Sequence, residues 1–139
     1  MNRAGYTLVE VLIAVVILVI LAAQGVSRYS LAEEDARVDR ACATLRNLWV
    51  AERLYRMEHP AFDADLGDLA ANGLVERTLA SEHEPFGFSI ESADAAGFVA
   101  RATRHGLGSW IGSITIDQTG SLQGSIDGTG GEHVTPPVP

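Results

Sequence analysis

The stretch GYTLVEVLIAVVILVILAA, residues 5–23, decides how this chain is read. Between Ala4 and Ala23 the only strongly polar side chains are Thr7 and Glu10. Twenty such residues suffice to cross the hydrocarbon core of a bilayer as a helix. The run stops at Gln24-Gly25, and Arg3 precedes it, so the positive-inside bias puts the N-terminus in the cytoplasm. Glu10 is the residue that hydrophobicity does not explain. A carboxylate inside a membrane helix costs roughly 2.5–3.5 kcal/mol on insertion scales and calls for a partner, or for snorkelling to the nearby cytoplasmic end.

A secretory signal would end in a small-x-small site, whereas this run closes on Leu21-Ala22-Ala23. A plain anchor accounts for the length but leaves Gly5 and Glu10 without a role. Gly5-Tyr6-Thr7-Leu8-Val9-Glu10 ahead of an unbroken apolar run resembles the class III signal of type IV pilins and type II secretion pseudopilins. That resemblance implies cleavage after Gly5 by a prepilin peptidase and N-methylation of Tyr6. It makes Glu10 the fifth residue of the mature chain, where the family carries its glutamate. Pairing the Glu10 carboxylate with the new amine of a neighbour's Tyr6 would fix the axial register between helices, since two buried charges offset one another only when paired. Thr7 adds a hydroxyl to that site. Three features depart from the pattern. Tyr6 replaces the usual Phe or Met, Ser27 stands where many pilins have proline, and the leader 1–5 carries one Arg. Gly25 and Ser27 are expected to weaken the helix locally.

Beyond Gln24 the sequence stays helical and becomes amphipathic. Val38, Ala41, Cys42, Leu45, Leu48, Trp49 and Tyr55 recur at three- and four-residue steps, which predicts one apolar stripe. Glu33 with Arg37 and Glu52 with Arg56 read as i,i+4 pairs on the solvent side. One helix from Tyr6 to Glu58 would be about 80 Å long at 1.5 Å per residue. His59-Pro60 ends it. Asp65 to Gly73 predicts a short helix with an acidic start and a glycine stop, burying Leu66, Leu69, Leu74 and Val75. From Phe86 the period becomes two, and glycines together with the turn Asp117-Gln-Thr-Gly120 divide the segment into three or four antiparallel strands. From Gly124 the Gly/Ser/Asp/Pro-rich composition reads as a mobile tail.

The expected fold is α+β, a long N-terminal helix carrying a small antiparallel sheet. The parts are a leader (1–5), a transmembrane and filament-core helix (6–28), an amphipathic spine (29–59), a globular head (60–123) and a tail (124–139).

The net charge of −8, with ten Arg and no Lys, gives no support for nucleic-acid binding, which requires a basic patch. Cys42 is the single cysteine, so no intramolecular disulfide holds the head, and the residue reads as a small buried hydrophobe. Ser109, His105 and Asp117 form no recognisable nucleophile set. His59, His83, His105 and His133 lack zinc-site spacing. Trp49 and Trp110 read as core and strand residues. Asp117, Asp127 and Glu132 lie in glycine-rich loops of a kind that can hold Ca²⁺, although solvated turns are the simpler reading.

The resemblance implies a structural role. The subunit would wait as a single-pass inner-membrane protein and assemble into a homo-oligomeric helical filament, periplasmic or extracellular, with help from an inner-membrane platform and an ATPase. A type II secretion pseudopilin and a membrane-anchored periplasmic binding module are the alternatives.

Overall fold

The computed structural model describes residues 7–81, 85–106 and 108–137, and of 24–28 the backbone alone. Helix α1 (Leu8–Glu58) is followed by α2 (Leu66–Ala71), a 3-10 turn (Arg77–Ala80) and five strands. The strands are β1 (Phe86–Ala93), β2 (Phe98–Arg104), β3 (Trp110–Asp117), β4 (Leu122–Gly128) and β5 (His133–Val134). The chain divides into two compact units, Met1–Glu34 and Asp35–Pro139. The fold is α+β and pilin-like. Helix α1 ends at Glu58 as His59-Pro60 requires, and its backbone is helical through 24–28, where Gly25 and Ser27 were expected to weaken it.

In the C-terminal unit, α1 buries Val38, Ala41, Cys42, Leu45, Leu48 and Ala51, the three- and four-residue steps of one helix face. The sheet is a plain antiparallel meander in the order β1-β2-β3-β4-β5. Its inner face pairs small residues with large ones. Ala100 stands opposite Ile116, and Ala102 opposite Ile114. All four are buried in one cluster with Val38, Ala41, Cys42, Leu45 and Leu48 of α1, Phe98, Ile126 and Val134. Alternating small and large side chains is how a sheet face accepts a helix without voids. Trp110 is buried and Trp49 packs partly buried against the cluster, as their sequence positions suggest.

The short helix forms as predicted. The Asp65 carboxylate accepts the Gly67 amide at 2.7 Å, an N-cap. At the other end the amides of Gly73 and Leu74 bond to the carbonyls of Ala70 and Leu69, the Schellman pattern that stops a helix. Leu66 and Leu69 are buried, and Leu74 and Val75 pack partly buried against the core.

Two expectations are corrected. Glu52 is not on the solvent side paired with Arg56, because its side chain is fully buried. Positions 45, 48, 52 and 55 lie on one helical face, so Glu52 shares the stripe of Leu45 and Leu48. Arg56 turns instead to the carbonyls of His59 and Ala95. The segment from Gly124 is not simply a mobile tail. Residues 124–128 and 133–134 lie in β4 and β5, with Ile126 0% exposed and Val134 buried. Its glycines serve the ladder. At Gly112 a β-carbon would stand 2.2 Å from the Ser125 carbonyl oxygen, and at Gly124 2.2 Å from that of Ser113. Both residues have positive φ, +140° and +115°, which side-chain-bearing residues rarely adopt.

Candidate functional site

The first described residue of the N-terminal unit caps its helix. The Thr7 hydroxyl accepts the Glu10 amide at 3.3 Å, and the Thr7 carbonyl accepts the amides of Glu10 and Val11. Thr-x-x-Glu is the spacing of a capping box, a signal present in the sequence that the register argument passed over. Glu10 stands in the first turn of α1, where the positive end of the helix dipole favours a carboxylate. Gly5 and Tyr6, the expected cleavage and methylation positions, lie outside the described residues.

From Leu8 to Leu21 the large apolar side chains point in every direction around the helix. All twelve, from Leu8 to Leu21, are between 49% and 80% exposed. Fully burying such a side chain is worth about 1.5–3 kcal/mol, so this surface is built for an apolar surrounding. Among the described residues no helix is long and apolar enough to cross a membrane. Leu8 to Ala23 gives about 24 Å of rise against ~30 Å of hydrocarbon. The expected span begins at Ala4, outside the described residues.

The calcium candidates are not brought together. The Asp117 carboxylate folds over the β3–β4 turn, accepting from the Thr119 amide and hydroxyl and from the Ser121 amide. Those bonds, the Thr119 hydroxyl first, hold its carboxyl below the usual range. Asp127 pairs in register with Ile111 near the opposite end of β3, roughly 20 Å away at 3.3 Å per residue. Its carboxylate meets the His133 ring and the Ser125 hydroxyl. Glu132 sits in the β4–β5 turn, where its carbonyl accepts the Gly128 amide. Among the described residues no group of three or more His, Cys, Asp or Glu is arranged to hold a metal.

Ser109, His105 and Asp117 are equally dispersed, since β3 separates Ser109 from Asp117. His59 stacks on Tyr55 with ring centroids 3.8 Å apart, and its Nδ1 lies 3.0 Å from the Tyr55 carbonyl oxygen. His83 lies outside the described residues. Cys42 is buried, and burial, with a contribution from Asp39, pushes its thiol up to about 11. A thiol so held is a packing residue.

Residues 1–23 match the prokaryotic N-terminal methylation motif. No curated protein matches the chain. The motif is typical of type IV pilins and pseudopilins, which are generally non-enzymatic structural subunits. This chain therefore carries the N-terminal methylation motif of type IV pilins and pseudopilins at the head of a pilin-like α+β fold.

Proposed function

We propose that the protein is a structural subunit of a type IV pilus or a closely related pilus-like filament. The observation that carries this reading is the methylation motif over residues 1–23, continuous with a helix whose apolar side chains are exposed on all sides. A prepilin peptidase removes Met1 to Gly5 on the cytoplasmic side of the inner membrane and methylates Tyr6. Before assembly the apolar helix lies in the bilayer. On assembly, driven by a membrane platform and an ATPase, lipid is exchanged for the helices of neighbouring copies, and the head faces the periplasm or the exterior. Within the helix bundle the Glu10 carboxylate needs a cation, and the amine freed at Tyr6 of the adjacent subunit supplies one.

Asp117 stands roughly 20 Å along β3 from Asp127, so the three loop carboxylates do not form one site, and a type II secretion pseudopilin is kept as the alternative reading. The reading is tested by intact-mass and N-terminal analysis of the protein purified from membranes of its own host. The expected mature chain begins at Tyr6 and carries one added methyl group. A mature chain beginning at Met1 or at Gln24 overturns it.

A further inference from the structure

The head contains a buried acidic pair that the filament reading does not use. Glu52, on the core face of α1, is fully buried, and Asp63, on the connector between α1 and α2, is nearly so. Glu52 Oε2 accepts the Asp63 amide at 3.0 Å, while Asp63 Oδ1 accepts the Asp65 amide at 3.0 Å. The remaining oxygens, Glu52 Oε1 and Asp63 Oδ2, are buried and receive no hydrogen bond. Carboxylate oxygens are acceptors only, so an ionised Glu52 would leave Oε1 without a donor in low dielectric.

Among the described residues no basic side chain bonds to either carboxyl. The other titratable groups around the pair are Tyr55 on the same helix, whose hydroxyl donates toward the Asp63 carboxylate, and Asp68 on α2. Arg56, one turn further along α1, gives its guanidinium to the carbonyls of His59 and Ala95. His59 stacks on Tyr55 and contacts its carbonyl. Glu52 Oε1 has no such donor, and a proton on Glu52 is the simplest means of relieving it.

We propose that Glu52 holds a proton on the acid side of neutrality, and that the neutral side chain, bonded to the Asp63 amide, fastens the connector to α1. The direction of titration agrees. Burial, assisted by the Asp63 charge and opposed by the Asp63 amide bond, pushes the Glu52 carboxyl up from 4.5 to about 7. A carboxyl raised on folding holds its proton in the native state while the unfolded chain releases it. The native state is therefore favoured most below about 4.5, and the advantage is lost as pH rises through about 7. The connector between α1 and α2 is then a latch that weakens in alkaline surroundings.

The test uses the full chain in detergent micelles, with denaturant unfolding measured between pH 5 and pH 8. The wild-type unfolding constant is expected to rise on the order of 100-fold across that range, beyond any change due to the histidines. In Glu52→Gln, which keeps an acceptor for the Asp63 amide and has no titrating proton, that rise should disappear while acid-side stability is kept. Asp63→Asn removes the neighbouring charge, and should move the remaining titration toward acid. The infrared spectrum of the wild type at pH 6 should contain a protonated-carboxyl band that titrates near neutrality. The same pH dependence in Glu52→Gln, or a carboxyl band lost already at the pH of an ordinary glutamate, would overturn the proposal. If Glu52→Gln does not fold, the infrared titration and Asp63→Asn decide.

Discussion

The indole N–H of Trp49 donates to the main-chain carbonyl of Gln118 at 3.1 Å, joining α1 to the β3–β4 turn across 69 residues of sequence. The turn is itself rigid, because Asp117 accepts three hydrogen bonds from Thr119 and Ser121. On the Trp49 ring lies the Arg53 guanidinium, 4.6 Å from the centroid. Trp49→Phe keeps an aromatic ring but removes the donor. A net loss of about 1 kcal/mol is expected in denaturant unfolding of the full chain in micelles, the ordinary worth of one such bond. Unchanged stability would mean that the contact does not tie the helix to the turn.

A larger effect is expected in the segment whose composition argued against structure. Ile126→Ala should cost about 2–5 kcal/mol, because the side chain is fully buried in the cluster with Ile114 and Val134. Gly124→Ala should be at least as damaging, since its new β-carbon meets main-chain oxygen that cannot move aside. A mobile tail would tolerate both without change, so two unfolding curves decide the matter.

Why one segment was legible and the other was not is a question of which physical signal dominates. Helix α1 is written in spacing: Val38, Ala41, Cys42, Leu45 and Leu48 repeat often enough that no single residue could mislead. At Glu52 two local signals conflict: its spacing to Arg56 suggests a surface pair, whereas Leu48 and Tyr55 flank it on the buried face. In β4 the alternation survives only as Leu122, Gly124 and Ile126, and one of the three has no side chain to register. The need for glycine there comes from a strand partner, Ser113, that no local window of sequence contains. At the N-terminus the motif was complete on its face, and the capping geometry of Thr7 and Glu10 came with it.

At low pH a second titration opposes that of Glu52. The Asp94 carboxylate accepts the amides of Gly97 and Ala96 in the β1–β2 turn, and those bonds hold its carboxyl below 3.8. Asp117 is lowered likewise, chiefly by the Thr119 hydroxyl. A carboxyl lowered on folding contributes stability above its unfolded value and loses it as pH falls through the folded one. Unfolding measured from pH 2.5 upward should show stability rising to about pH 4–5, then declining toward pH 8 as Glu52 ionises. Asp94→Asn keeps an acceptor oxygen without a titrating proton. It should flatten the acid limb and leave the alkaline limb as it was.

The N-terminal pair offers a test that separates two roles of one glutamate. Glu10 stands at the third position of the helix that Thr7 caps, at capping-box spacing, where Gln serves as well as Glu does. Pairing with an amine, by contrast, needs the charge. Thr7→Val should fray the first turn of α1 at a cost of about 1 kcal/mol, and Thr7→Ser should restore it. Glu10→Ala is expected to leave membrane insertion intact while impairing filament assembly, read by membrane fractionation and electron microscopy of sheared filaments. Glu10→Gln is the deciding variant. If the carboxylate fixes register by pairing with the Tyr6 amine of a neighbour, Gln assembles as poorly as Ala. Normal filaments from Glu10→Gln would reduce Glu10 to a cap, and normal filaments from both variants would remove it from assembly altogether.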